Sequence, residues 1–305
     1  MDLSKIPLPL LLAVTMAACL GAAILKNYFN KKVSDTNRAC QLFNIGSSIS
    51  CAIFILAYSG FRLEGSVYTL LIGSAFGIVT ALSAIFNFLA LSVGPLSYTT
   101  VMMTSSTVIT ALSGLFFGER ISVFKWFGIA LMAVCVILAT PKSKDDANKK
   151  ASVKWLIYSA VAALFSAGVG LIQKIHQKSE HSSELTLMLF VAFIFSTLFS
   201  VILYFIYRRK DAPVFSASLS KETKKKLIML ILAILIVAGI SIALNNIINL
   251  YLVGVLDSAI FFPIVNGGHL ILTTLAGLVL FREKLTSRQW IGILSGIAAG
   301  FLLCF

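Results

Sequence analysis

The chain has 305 residues, of which 58% are hydrophobic and only 12% are charged, and its formal net charge is +13. An ordinary soluble domain carries about 25% charged residues, so this composition excludes a soluble globular protein and indicates a membrane protein. The positive charge does not indicate nucleic-acid binding, because Lys and Arg lie in short connectors between apolar runs rather than on one basic face.

Ten apolar stretches are long enough to cross a hydrocarbon core of about 30 Å, which takes roughly 20 helical residues. In chain order, the predicted spans are residues 7–25, 39–59, 66–91, 95–117, 124–140, 155–173, 185–207, 227–253, 258–281 and 288–305. The first span, which contains "TMAAC", also resembles a signal sequence. We expect it to be retained, because the apolar run continues through Leu20 to Leu25.

Most of the 25 Lys and Arg residues lie in the connectors after spans 1, 3, 5, 7 and 9. The positive-inside rule places these connectors in the cytoplasm, so both termini are predicted to lie outside. The five cysteines lie in or beside apolar spans and form no CxxC pair. No phosphate-binding glycine loop or zinc-type histidine spacing occurs in the loops, so we expect no metal and no cofactor.

One short sequence motif occurs twice in the chain. "LFFGERIS" at residues 115–122 returns as "VLFREKLT" at residues 279–286, which aligns Glu119 with Glu283. A second, weaker echo relates the end of span 1 to the end of span 6. These echoes predict that the second half of the chain is a copy of the first.

Because each half holds five spans, an odd number, the second copy must cross the membrane in the opposite orientation. We predict a first five-helix repeat at 1–141, a cytoplasmic linker at 142–152 and a second five-helix repeat at 153–305. Paired inverted repeats are typical of carriers that alternate access around a site near the bilayer midplane. A duplicated scaffold without transport activity is the alternative.

The chain is predicted to have ten spans in two inverted halves. In each half an apolar run ends in Gly-Glu-Arg or Arg-Glu-Lys, with a Trp and a Gly just beyond it. These features resemble the drug/metabolite transporter (DMT) superfamily, specifically its bacterial EamA-type members. The resemblance covers nearly the whole chain. It implies an all-α integral membrane protein with ten transmembrane helices as two inverted five-helix repeats, the DMT fold. It also implies that spans 1, 3, 4, 6, 8 and 9 surround a central cavity, with spans 5 and 10 at the periphery.

Glu119 and Glu283 each lie just past one span and just before the next. A carboxylate there can accept hydrogen bonds from the first amides of the following helix, so both are predicted as caps or, alternatively, as gate residues. Lys26 and Lys174 lie near the ends of spans 1 and 6. Both lysines are expected to extend their ammonium groups to the membrane interface, and a role at the mouth of the cavity is the alternative.

Polar side chains recur at three- and four-residue spacing on spans 3 and 8, and spans 4 and 9 add hydroxyl and aromatic groups. An Asn in lipid is costly unless its amide is paired, so these faces are expected to point inward. The predicted substrate-binding residues are Ser83, Asn87, Tyr98, Thr104, Asn245, Asn246, Asn249, Phe262, Asn266 and His269. Hydrogen bonding between neighbouring helices is the alternative role for the same stripes.

No Asp, Glu, Lys or Arg lies inside the cores of the ten predicted spans, since Lys125 and Arg288 stand at the very start of their spans; His269 is left as the candidate for proton coupling. An unperturbed imidazole titrates close to physiological pH, but a neutral His bonded to a neighbouring helix is an equal alternative. Span 1 carries Thr15 and Cys19, where the small four-helix multidrug relatives of the superfamily carry a buried Glu. This difference argues against proton-coupled drug efflux.

Together these features predict a secondary active transporter of a small organic metabolite. The resemblance to the EamA-type members implies an exporter, with an amino acid as an example of its solute, in a bacterial plasma (inner) membrane. A cavity without fixed charge argues against phosphate esters, which Arg or Lys groups bind. The alternative is an uptake carrier or facilitator for a quaternary amine or nucleoside, with an aromatic-lined pocket. An enzyme is not expected. Catalysis within the membrane would need a nucleophile, a carboxylate pair or a metal cluster in the spans, and the sequence offers only one isolated histidine there. The expected partners are a small-molecule metabolite and membrane lipid, with no nucleic acid, and the chain is expected to be a monomer or weak dimer.

Overall fold

The computed structural model describes residues 3–33, 36–93, 96–139, 153–208, 221–280 and 286–303. Within them the chain forms ten α-helices and no strand, so the predicted all-α class is confirmed. The helices are α1 (Leu8–Lys32), α2 (Asn37–Tyr58), α3 (Val67–Val93), α4 (Leu96–Leu112), α5 (Val123–Ala139), α6 (Val153–Lys178), α7 (Leu185–Arg208), α8 (Lys221–Val255), α9 (Ser258–Leu280) and α10 (Ser287–Leu303). Each predicted span falls on one of these helices.

Seven of the described helices are long and apolar enough to cross a membrane: α1, α2, α3, α6, α7, α8 and α9. The other three, α4, α5 and α10, have 17 residues each. This is a helical, multi-pass membrane protein. Membrane crossing by all ten helices and the inverted repeat stay predictions.

Local sequence explains how several helices begin and end. Thr36 precedes α2, and its hydroxyl accepts a hydrogen bond from Ala39 N at 3.3 Å, which satisfies one of the amides that a helix start leaves open. At its other end, α4 runs into a 3-10 turn, Ser113–Phe117, and Gly118 ends this turn in the left-handed conformation with φ 75°. The chain reaches Glu119 directly after this turn.

The chain divides into two compact units that do not follow the two halves of the sequence. One unit contains Met1–Ile78 and Ser179–Tyr251, and the other contains Val79–Lys178 and Leu252–Phe305. Helices α3 and α8 each contribute residues to both units. The predicted linker at 142–152 lies outside the described residues, and the predicted pair of sequence repeats stays a prediction.

In the first unit, α2 packs against α7, and α1, α2 and α8 share an apolar cluster. The buried members of this cluster are Phe29, Ala39, Phe43, Ile231, Ile234, Leu235 and Ala238. Gly77 lets α3 approach α7 closely, because a Cβ there would lie 2.7 Å from Phe195 Cβ and 2.8 Å from Ala192 O. Small residues at such crossings are how membrane helices gain van der Waals contact.

In the second unit, α5 packs along α10, and α4 contacts both α6 and α9. The buried apolar cluster here consists of Ala111, Ile129, Met132, Cys135, Ala259, Ala299 and Leu303. Gly296 of α10 faces α5, since a Cβ there would lie 2.5 Å from Cys135 Sγ. Gly300, one turn later, has no such neighbour within 4 Å.

Candidate functional site

In the first unit, Thr15 of α1 and Asn245 and Asn249 of α8 form a closed ring of hydrogen bonds. Asn245 Nδ2 donates to Thr15 O and to Thr15 Oγ1, both at 3.0 Å. Thr15 Oγ1 donates to Asn249 Oδ1 at 2.9 Å, and Asn249 Nδ2 donates to Asn245 Oδ1 at 3.2 Å. Thr15 is fully buried. Every side-chain polar group of the ring therefore has a partner inside the protein, as apolar surroundings require.

The ring accounts for the four-residue spacing of amides on α8, because Asn245 and Asn249 lie one turn apart on the side that α1 covers. Asn246 behaves differently: its Nδ2 donates to Ile242 O of its own helix at 2.9 Å. The structure thus shows interhelical bonding by Asn245 and Asn249. Substrate binding by these three residues stays a prediction.

In the second unit, two candidate residues link neighbouring helices. Ser83 of α3 is buried and donates to Ala162 O of α6 at 3.1 Å. Asn266 of α9 is exposed and donates to Thr107 Oγ1 of α4 at 3.2 Å. Asn87, one turn after Ser83, is half-buried on α3.

The remaining candidates on α9 lie along one continuous helix. Phe262 is buried and meets Phe261 edge to face, with ring centroids 5.0 Å apart at 74°. Gly170 of α6 leaves room for the Phe262 ring, because a Cβ at Gly170 would lie 2.8 Å from Phe262 Cε1. His269 is half-buried two turns further on. Helix α9 continues through Pro263 without interruption, although proline removes one backbone donor from the helix.

Some predicted residues cannot be placed in this way. The side chains of Tyr98 and Thr104, both on α4, and the whole of Glu283 lie outside the described residues. Across the described part of the chain, no three His, Cys, Asp or Glu side chains lie close enough together to hold a metal ion.

A buried ion pair lies in the second unit. Lys174 is fully buried near the end of α6, and its Nζ lies 2.5 Å from Glu119 Oε1. The Glu119 side chain is only 9% exposed. Glu119 Oε2 also accepts a hydrogen bond from Ser258 N at 2.6 Å, and Lys174 Nζ donates to Leu256 O at 2.9 Å. Both charges therefore contact the short connection between α8 and α9.

This pair corrects two expectations. Lys174 does not extend to the membrane interface, because the Glu119 carboxylate and the Leu256 carbonyl satisfy its ammonium inside the protein. Glu119 contacts the first amide of α9 rather than the helix that follows it in sequence. Gly114 makes room for the carboxylate, since a Cβ at Gly114 would collide with Glu119 Oε2.

Sequence reasoning overlooked a second charged contact at the same connection. Lys125 Nζ of α5 lies 2.9 Å from Asp257 Oδ2, and Asp257 lies between Leu256 and Ser258. Its side chain is 42% exposed. The signal available in the sequence was an isolated acid between two apolar runs, which identifies a connector but names no partner.

Comparisons with known proteins agree with this architecture. One crystal structure of a protein aligns with 97% of this chain and 98% of its own, with a TM-score of 0.69 at 12% identity, a likeness that shows the fold alone. No curated protein matches the chain. The model of the EamA-like transporter family matches residues 153–305, half of the 305 residues. The chain accordingly belongs to the EamA-like transporter family, within the DMT superfamily.

Proposed function

We propose that the chain is a secondary active transporter that exports a small organic metabolite, such as an amino acid, across a bacterial plasma membrane by alternating access. The observation that carries this proposal is membership of the EamA-like transporter family. The seven long apolar helices support a multi-pass carrier.

Helix packing supports the inverted repeat on which alternating access depends. Three pairs of helices at equivalent places in the two halves contact each other: α2 with α7, α4 with α9, and α5 with α10. Such pairing is expected when a pseudo-two-fold axis in the membrane plane relates the halves. We therefore propose two inverted five-helix repeats. The distribution of Lys and Arg among the connectors supports both termini outside.

The chemistry of the candidate residues supports a solute without net charge. All ten are uncharged at neutral pH, apart from the titratable His269. The buried charges of Glu119 and Lys174 pair with each other, so together they add no net charge. Neutral or zwitterionic solutes fit this set of groups, because amides and hydroxyls can both donate and accept hydrogen bonds.

A ligand screen followed by transport tests this proposal. The purified protein is warmed in detergent with single amino acids, nucleosides and quaternary amines, and the shift in Tm is recorded. A solute that stabilises the protein is then loaded into vesicles that contain it, and saturable counterflow is measured against vesicles without protein. Asn87→Leu is expected to weaken the response, whereas Asn44→Leu is the matched control, because Asn44 bonds locally to Gln41 Oε1 at 3.4 Å.

The outcome also separates the two directions of transport. An exporter of amino acids should protect expressing cells against an excess of the solute that stabilises the protein. Stabilisation by nucleosides or quaternary amines, with saturable uptake into cells, would favour the alternative uptake carrier. Absence of both stabilisation and counterflow across the whole panel would refute the transport proposal for these solute classes.

A further inference from the structure

The connection between α8 and α9 brings the end of one helix close to the start of the next. Helix α8 ends at Val255 and α9 begins at Ser258, so only two residues separate them. A helix end leaves carbonyl groups without helical partners, and a helix start leaves amides without them. The connection therefore combines a partially negative end and a partially positive end within two residues.

Two buried charges match these two ends. Lys174 Nζ donates to Leu256 O at 2.9 Å, just beyond the carbonyl end of α8. Glu119 Oε2 accepts from Ser258 N at 2.6 Å, at the amide end of α9. The cation thus meets the negative end of one helix and the anion meets the positive end of the next, while the two charges pair with each other.

Burial makes this arrangement hard to open. Lys174 is fully buried and the Glu119 side chain is 9% exposed, so separating them would leave two charges and two backbone groups without partners in apolar surroundings. Water has little access to those bonds, because Lys174 and Ser258 are fully buried. A surface ion pair, by contrast, opens at almost no cost.

We propose that Glu119 and Lys174 form a junction clamp that stays closed during transport and positions the first turns of α9, which carry Phe262, Asn266 and, further on, His269. The two charged residues are positioning residues that act through α9. This inference rests on the proposed function, because it assigns those α9 residues to the solute site. It contradicts the gate role considered for Glu119, since a gate must open in each cycle.

Exchanging the two charges distinguishes the junction clamp from an isolated ion pair. An isolated ion pair tolerates Glu119→Lys combined with Lys174→Glu, because attraction between the two groups is preserved. In the junction clamp the exchange would turn a carboxylate towards Leu256 O and an ammonium towards Ser258 N–H. Both new contacts repel, so the exchanged pair is expected to behave no better than either single variant.

The first measurement needs no substrate. Hydrogen exchange of the peptide that starts at the α8–α9 connection is recorded for the purified full chain, its Glu119→Gln variant, its Lys174→Met variant and the exchanged pair. Glu119→Gln keeps the shape of the side chain and is examined first. Each variant is expected to speed exchange in the first turn of α9 by at least about tenfold.

Lys125→Met is the matched control, because it removes a neighbouring cation whose partner Asp257 is 42% exposed. Its effect on exchange is expected to stay within about threefold, as for a partly exposed pair. Protection restored by the charge-exchanged pair, or an equal effect of Lys125→Met, would overturn the junction clamp.

The second measurement uses transport in vesicles. Glu119→Gln is expected to raise KM for the solute, with the maximal rate within about twofold, because a displaced α9 weakens binding without changing the cycle. A lower maximal rate at unchanged KM would identify a gate and refute the clamp. If the wild-type protein shows no saturable transport, the proposed function fails, while the exchange measurement still decides whether the clamp exists.

Discussion

Replacing Asn245 with Leu removes the central member of the hydrogen-bonded ring between α1 and α8. The side chain donates twice to Thr15 and accepts once from Asn249. Interhelical hydrogen bonds in membrane proteins contribute about 0.6 kcal/mol each on average. An amide left without an acceptor, here Asn249 Nδ2, costs about 1 kcal/mol more. Together these terms predict a loss of about 2 kcal/mol in the free energy of unfolding.

The chain supplies a control on the next residue. Asn246 Nδ2 donates to the carbonyl of Ile242 on its own helix, so Asn246→Leu is expected to change the free energy of unfolding by less than about 0.5 kcal/mol. Both variants are purified in the same detergent, and reversible unfolding is followed by helical circular dichroism during titration with a denaturing detergent.

A double variant tests the ring itself. Thr15→Val removes the same ring from the α1 side, so its effect combined with Asn245→Leu should be clearly less than the sum of the two single effects. Additive effects, or an Asn246→Leu variant as unstable as Asn245→Leu, would refute the reasoning. If Asn245 also binds solute, its Leu variant should lose solute-induced thermal stabilisation, whereas an unchanged response would remove Asn245 from the site.

Three further predictions concern packing, coupling and topology. Gly77→Ala should destabilise the protein by about 1–3 kcal/mol, because its Cβ would lie 2.7 Å from a side-chain atom of α7, while Gly300→Ala, with open space around it, should be neutral or slightly stabilising in the same unfolding assay. His269→Gln should flatten any dependence of vesicle transport on a proton gradient, because glutamine carries no titratable proton, and retained dependence would exclude His269 from coupling. Ser216→Cys, in a variant without the five native cysteines, should be labelled only after the cells are opened, and labelling of intact cells would invert the predicted topology.

The helices themselves were predictable because their signal is local. Ten apolar runs of spanning length correspond to ten described helices, and the residues that cap or end them lie within a few positions. The inward-facing stripe on α8 was predictable for the same reason, since Asn245 and Asn249 follow helical spacing. Their partner Thr15 was not, because it lies 230 residues from Asn245 in the chain.

The junction clamp shows where reasoning from one sequence stops. Lys174 near the end of an apolar run has the same local pattern whether it reaches the interface or lies buried. Its burial depends on Glu119 and on a carbonyl 82 residues later, and neither contact leaves a periodic signal. Glu119 likewise caps a helix 139 residues later rather than the next one. Contacts of this kind arise only when distant parts of the chain meet in the folded protein.

The tight fit between Gly114 and Glu119 restricts how this chain can vary over generations. A larger residue at position 114 would strike the carboxylate, so it is tolerable only after position 119 has shortened or lost its acid. Loss of that acid leaves the buried Lys174 ammonium without its carboxylate partner, so Lys174 must then be replaced as well. Drift at these three positions is expected to proceed as a linked set of substitutions, and a descendant that changes one of them alone should fold poorly.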